Sequence, residues 1–322
     1  MPFRTTSNQH RIVGLSLALL FDLLLGDPPN RYHPVAWMGS AIVTASRHAP
    51  RHGPWRQFAY GALLALVGVT AIAGLGYGVA RIFSHLPKLW QWLFTATLLK
   101  MTFSVSGLAT AAQAVADALA RDDLNEARRL LAWHLVSRDT TTLSEAQVSA
   151  AVIESIAENT SDSIVAPALY YLLGGLPCAL AYRFMNTADA LIGYRDSKHE
   201  WLGKASARLD DLANVVPARL TAGLFIVAAQ LAGEDAKRAW QIWRRDSGQT
   251  ASPNAGHPMS AAAGALGVEL EKIDHYRLGA GGRAPAPADI RRALRLMYMV
   301  AGLVVGLPII WQLLTGRLPQ RR

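Results

Sequence analysis

The stretch FAYGALLALVGVTAIAGLGYGVA, residues 58–80, contains no charged residue. An α-helix needs about 20 apolar residues to cross a bilayer, so this run makes the chain a membrane protein. Ile164–Tyr182 and Leu296–Leu314 read the same way, each uncharged over a similar length. Three further stretches carry a blemish. Leu89–Ala116 is long enough but holds Lys100, Ile12–Leu25 is shorter and holds Asp22, and Leu220–Gly233 is short and follows Arg219. The expected fold is all-α, a polytopic integral membrane protein with about four to six membrane segments and cytoplasmic polar loops. Residues 1–322 are expected to form a single such domain.

Composition agrees. Of 322 residues, 51% are hydrophobic and 17% charged, against about 25% charged in soluble domains. The net charge is +9, but no arginine-rich stripe with interleaved aromatics accompanies it, which excludes nucleic acid as a partner. Lys and Arg concentrate in 234–295, which should therefore be cytoplasmic. Counting single crossings puts 183–214 outside, although it carries Arg183, Arg195, Lys198, Lys204 and Arg208. The expectation is that this segment folds back into the bundle. Cys178 is the only cysteine, so an internal disulfide and a paired-thiol metal site are excluded. Gly26-Asp27-Pro28-Pro29 follows the first apolar stretch in place of a small-residue cleavage site, so residues 12–25 read as retained. Residues 117–145 read as one amphipathic surface helix and Asn186–Asn214 as a polar loop region with short helical patterns. No alternating run suggests a sheet.

Four polar stretches carry the chemistry. In AVIESIAENTSDSIVAP, residues 151–167, Glu154, Glu158 and Asp162 recur every fourth residue with Asn159 and Ser163 beside them. Residues four apart share a helical face, and like charges there repel. Two readings fit: a Mg²⁺ site, since that ion takes few protein oxygens and binds substrate phosphates, or a solvated acidic face with Asp162 as a cap. The second stretch, residues 182–220, mixes Arg183, Arg208 and Arg219 with Asn186, Asp189, Asp210, Asp211 and Asn214. Such a mixture suits phosphate or phosphate–metal binding, and equally salt bridging between helix ends. In the third, residues 252–270, Ser252 and Asn254 sit in the turn SPNAGHP ahead of a small-residue helix, an arrangement able to hold an anion. In the fourth, residues 22–39, Asp22 interrupts an apolar helix while Asp27 and His33 flank a proline-rich turn. GxSxG, HExxH, paired CxxC and GxxxxGK[ST] motifs are absent.

Taken together, GDPPNRYHPVAWMG, ESIAENTSDSIVAP, RFMNTADALIGY, ASARLDDLANVVPARLTA and SPNAGHPMSAAAGALGV resemble the adenosylcobinamide-phosphate synthase family of cobalamin biosynthesis, the CobD/CbiB type. They fall in family order between residues 22 and 268. The resemblance implies a multi-pass enzyme of the cell (inner) membrane. It implies an ATP-dependent amide ligation joining the propionate carboxylate of adenosylcobyric acid to (R)-1-aminopropan-2-ol or its phosphate. Mg²⁺ and ATP, as co-substrate, are implied with it, as are other late cobalamin-pathway enzymes as partners. On this footing Glu154, Glu158, Asp162 and Asp189 would serve the Mg²⁺–phosphate role with Asn159 and Asn186. Arg183, Arg208 and Arg219 would neutralise phosphate oxygens, and Asp210 or Asp211 would take a proton from the attacking ammonium. Ser252 and Asn254 would hold a phosphate or a corrin amide, with Asn214, Asp27 and His33 among the binding residues. One departure stands out: an acidic residue is expected after the second proline of SPNAGHP, where this chain has Met259. Two other classes remain open on sequence, an AmpE-like membrane sensor and an ion-coupled transporter.

Overall fold

The computed structural model describes residues 8–194 and 199–315. Arg195 and Lys198, counted above among the loop charges, lie outside them. The helices run α1 Asn8–Leu25, α2 Pro34–Ser46, α3 Pro54–Phe83, α4 Lys88–Lys100, α5 Val105–Ala120, α6 Leu124–His134, α7 Glu145–Thr160, α8 Ala166–Gly174, α9 Leu176–Ile192, α10 Lys204–Ala232, α11 Ala236–Asp246, α12 Gly256–Leu266 and α13 Pro287–Leu314. Two short antiparallel strands, β1 Leu270–Lys272 and β2 Tyr276–Leu278, lie between α12 and α13. Among the described residues, four stretches are long and apolar enough to cross a membrane: Pro54–Phe83, Lys88–Ala120, Lys204–Ala232 and Pro287–Leu314. The second is interrupted at residues 101–104. The protein is thus a polytopic helical membrane protein, as the apolar runs predict.

The chain divides into two compact units, with boundaries after Ser104, Val165, Ala213 and Gly306. The first is built on α1–α4, α8, α9 and the start of α10. Its longest helix, α3, packs on α9 through small residues. A side chain at Gly68 would meet the Phe184 ring, and one at Gly76 would meet Pro177. Gly61, on the same side, abuts the Leu202 carbonyl. Glycines seven or eight apart share a helical face and let another backbone come close where no hydrophobic force from water drives association. Met38 and Ile42 of α2 complete this core with Phe184, Ala188 and Ile192 of α9. Elsewhere α3 leaves Leu63, Leu66, Leu75 and Ile82 exposed, as a lipid-facing surface requires. Arg11 of α1 donates to the carbonyls of Leu172 (2.6 Å) and Leu173 (3.0 Å), satisfying acceptors that the end of α8 leaves open.

In the second unit α7 is the central element. A capping box fixes its start: Gln147 N–H donates to Ser144 Oγ, and Ser144 N–H donates to Gln147 Oε1 at 2.8 Å. The whole run Val148–Ala157 is buried. Gly264 of α12 lies against the backbone of Ala239 in α11. Two buried carboxylates tie the polar segment down. Asp246 binds Arg245 and the Gly279 N–H at 2.7 Å, and Asp289 binds both Arg283 and Arg292 at 2.6 Å.

The structure corrects the sequence reading in four places. Ile164–Tyr182 is not one membrane span. Gly175 adopts φ +73°, Pro177 opens α9, and the apolar run is cut into α8 and α9; the positive φ favours glycine, and proline has no N–H to continue α8. Residues 117–145 are not one helix, because Asp122 turns with φ +59° and Asp123 caps α6. Asn186–Asn214 is mostly helix, so its polar residues sit on α9 and α10. The hairpin at 270–278 has strands of three residues each, too short to show alternation.

Gly61→Ala should lower stability by about 1–3 kcal/mol, since its neighbour is backbone and cannot rotate away. Gly74→Ala, with nothing near the added carbon, should be neutral or slightly stabilising. Thermal unfolding in detergent checks both, and equal effects would contradict this packing.

Candidate functional site

Each unit gathers its own polar cluster. In the first, Asp22 is fully buried on α1 and Lys100 is 3% exposed on α4. The Lys100 ammonium donates to Asp27 at 2.7 Å and lies 3.9 Å from Asp22. Residues 101–104 break the apolar stretch directly after Lys100. His33 lies 3.9 Å from Asp27, and its Nδ1 accepts the Val35 N–H at the start of α2. Burial is the main effect lowering its pKa. Asp27 opposes this, while Lys100 and Arg183 add to it. Arg183 donates to Asn186 (3.4 Å), and Asn186 donates to Asp210 (3.3 Å). The structure thus brings Asp27, His33, Arg183, Asn186 and Asp210 into one connected set, drawn from two of the polar stretches. Asp189 also belongs to this unit, where its carboxylate lies against Gly193. Arg208 is exposed and Asp211 half-buried on α10. Asn214, buried, is the first residue of the second unit.

In the second unit the acidic helix does not present one even face. Glu154 is buried, Glu158 exposed and Asp162 half-buried. The helix widens into a π-turn at Ser161–Val165, which shifts Asp162 from the four-residue register; such turns recur at functional sites. Asn159 donates its side-chain amide to the Ser155 carbonyl at 2.9 Å, so its Nδ2 is engaged. Glu154 pairs with Arg138 at 3.6 Å. The Tyr276 hydroxyl of β2 lies beside its carboxylate, and Lys272 of β1 adds positive charge. Glu154 Oε1 has no hydrogen-bond partner among the described residues. Burial dominates, so its pKa is raised to about 7; Arg138 and Tyr276 only partly oppose this, and Glu158 reinforces it. The same burial and the two carboxylates push the Tyr276 hydroxyl up. That hydroxyl is 4.0 Å from Met259 Sδ, which joins the helix after SPNAGHP to the acidic helix.

The SPNAGHP turn is built by its own side chains. Ser252 Oγ accepts the N–H groups of Asn254 and Ala255, and Thr250 Oγ1 accepts that of Gly256 (3.1 Å). Arg219 of α10 donates to the Val215 carbonyl (2.8 Å) and to Asn254 (3.4 Å). Trp243 of α11 donates to His257 Nδ1 at 2.8 Å. Burial, with help from Arg219, lowers the His257 pKa, so the ring is neutral and accepts from Trp243. Arg219 and Ser252 are thus linked through Asn254.

Among the described residues, no group of three or more His, Cys, Asp or Glu gathers to hold a metal ion. Glu158, one turn before the widened segment, and Asp162, within it, each carry a carboxylate. Such a pair fits Mg²⁺ that shares its shell with substrate phosphates. Sequence reasoning missed Lys100, Arg138, Tyr276 and His257 as site residues. Lys100 carried a signal, a lone cation in an apolar stretch opposite the equally misplaced Asp22. Arg138 and Tyr276 carried none, being ordinary residues of polar segments.

A model of the CobD/Cbib protein family matches residues 15–297. The chain is 41% identical over 281 residues to the cobalamin biosynthesis protein CobD of Dehalococcoides mccartyi (strain CBDB1), covering 87% of this chain and 91% of that protein. It is 38% identical over 301 residues to the cobalamin biosynthesis protein CobD of Klebsiella pneumoniae subsp. pneumoniae, covering 90% and 94%. It is 36% identical over 308 residues to the cobalamin biosynthesis protein CbiB of Salmonella typhimurium, covering 92% and 96%. No solved structure matches the chain.

Glu154 should leave a mark on stability. Its folded pKa of about 7 stands above the ordinary 4.5, so the folded state holds a proton that unfolding releases. The associated stability is complete below the ordinary pKa and is lost as pH rises through about 7. Glu154→Gln keeps the neutral form. Above that pH the variant should exceed wild type by about 3 kcal/mol at most, while the two converge in acid. Parallel stability curves from pH 4 to 8, on the order of these pKa values, would contradict a raised Glu154.

Proposed function

The chain belongs to the CobD/CbiB protein family, and on that premise we propose that it is a membrane enzyme of cobalamin biosynthesis, of the adenosylcobinamide-phosphate synthase type. It joins the propionate carboxylate of adenosylcobyric acid to (R)-1-aminopropan-2-ol or its phosphate through an amide bond. The enzyme sits in the cell (inner) membrane with its site open to the cytoplasm, where the corrinoid and ATP are found, and other late cobalamin-pathway enzymes are its natural neighbours.

Amide formation from a carboxylate and an ammonium ion has two demands. The ammonium must lose a proton to become a nucleophile, and the carboxylate must lose an oxygen. ATP would meet the second demand by carrying the oxygen away as phosphate, with Mg²⁺ neutralising the phosphate charge. The chain's own residues meet the first. The single observation behind this reading is the buried Glu154, whose pKa of about 7 lets it accept a proton at neutral pH and release it again. Arg138 and Tyr276 fix its position. Glu154 suits the base role better than Asp210, which Asn186 already engages. Glu158 and Asp162, with the side-chain oxygen of Asn159, would hold Mg²⁺. Arg219 offers a guanidinium for a phosphate beside the Asn254 side chain, in the turn that Ser252 holds. The first unit carries its own polar set, His33, Arg183, Asn186 and Asp210, whose donors and acceptors suit amide groups such as those of the corrin. Arg208 and Asp211, exposed or half-buried, would add contacts at the rim, and Asp189 would add a carboxylate.

Detergent-solubilised protein given adenosylcobyric acid, Mg²⁺, ATP and either amine should yield the amide, read by mass spectrometry. Omitting ATP or Mg²⁺ should remove the product. Glu158→Ala and Asp162→Ala should abolish synthesis at unchanged protein level. Full activity in both variants would overturn the metal assignment, and no product with either amine from folded protein would overturn the synthase.

A further inference from the structure

Two faces of the second unit repeat one pattern. On α11, Lys237, Trp240 and Arg244 are exposed, while Ala239, Ile242 and Asp246 point inward. The exposed three are spaced by three and four residues and so share one side of the helix. On α13, Arg291, Arg295 and Tyr298 are exposed at spacings of four and three. Trp240 is 47% and Tyr298 44% exposed. The Arg244 guanidinium lies 5.6 Å above the Trp240 ring.

Both faces lie at the ends of membrane spans. Residues 233–235 alone separate α11 from the end of α10, and the uncharged run of α13 begins at Leu296. The Arg292–Glu234 ion pair, one arm at 3.0 Å, ties the start of α13 to the link between α10 and α11. Arg292 also donates to the Leu266 carbonyl at 3.1 Å. Of the nearby carboxylates, Asp246 is paired with Arg245, Asp289 with Arg283 and Arg292, and Glu234 with Arg292, while Asp235 caps α11 by accepting the Arg238 N–H. Lys237, Arg244, Arg291 and Arg295 have no carboxylate partner among the described residues. Rings flanked by unpaired cations at the mouth of a span match the bilayer interface, where aromatic bodies sit at headgroup depth and cations meet phosphate.

We propose that Lys237, Trp240 and Arg244 of α11, with Arg291, Arg295 and Tyr298 of α13, form a docking surface for anionic phospholipid headgroups. The surface seats the polar segment on the membrane, and its cations select acidic over zwitterionic lipid. This holds whatever reaction the protein catalyses.

The test is tryptophan quenching in vesicles of equal phosphatidylglycerol and phosphatidylcholine, in which either the one or the other lipid is brominated, with Trp240→Phe subtracted to isolate Trp240. Each interfacial cation contributes about fivefold to acidic-lipid attraction, so quenching of Trp240 should prefer the acidic lipid by at least about that factor. The preference should vanish in Lys237→Gln/Arg244→Gln/Arg291→Gln/Arg295→Gln, and in wild type it should weaken steadily with added salt. The salt series keeps the test decisive should the quadruple variant fail to fold. Equal quenching by both lipids overturns the proposal. So does a preference unaffected by salt, or one that millimolar inorganic phosphate abolishes at constant ionic strength, which would assign the cations to a soluble phosphate compound.

Discussion

A carboxylate taken out of water must keep a cation close or keep its proton. In a chain this apolar, that constraint organises the structure. Asp22 on α1 faces Lys100, and the same ammonium reaches Asp27 beyond the end of the helix. Asp246 is met by Arg245 at 2.6 Å and by a backbone N–H. Asp289 is held by two arginines. Each of these groups fixes a loop to a helix. Lys100 anchors the proline-rich turn that carries His33, Asp246 anchors the segment around Gly279, and Asp289 anchors the entry to α13.

Glu154 resolves the same constraint differently. Its cation, Arg138, stands at 3.6 Å, a full ångström longer than the arginine pairs of Asp246 and Asp289, and one of its oxygens has no hydrogen bond among the described residues. Burial then outweighs pairing, and the group favours its proton up to about pH 7. A fully paired carboxylate is inert as a base at neutral pH, whereas an under-paired one is poised. The surroundings hold it there: Tyr276 from the hairpin, Met259 behind Tyr276, and a π-turn downstream that sets Asp162 apart from Glu158. Where an acidic residue was expected at position 259, a thioether packs against the tyrosine. The charge of the site therefore rests on α7.

Much of this was legible before any coordinates. Uncharged runs indicated the membrane class, and five motifs within the polar stretches indicated the family. Arg219 lies beside Asn254 and Asn186 beside Asp210, contacts between residues that the polar stretches had singled out separately. What escaped was local geometry that outweighs hydropathy. Ile164–Tyr182 has the composition of a span, yet one glycine at positive φ followed by a proline cuts it in two. Four-residue spacing promised a uniform acidic face, yet a widened turn and unequal burial gave three carboxylates three environments. Arg138 and Tyr276 were invisible because a partner across the fold leaves no periodic trace in its own segment.

The most direct measurement is the pH dependence of kcat/KM for amide formation in wild type and Glu154→Gln. An acidic limb with a midpoint near the Glu154 pKa of about 7 is predicted for wild type. The variant should show a much lower rate with that limb gone. The same limb at an unreduced rate in Glu154→Gln would contradict a base at this position.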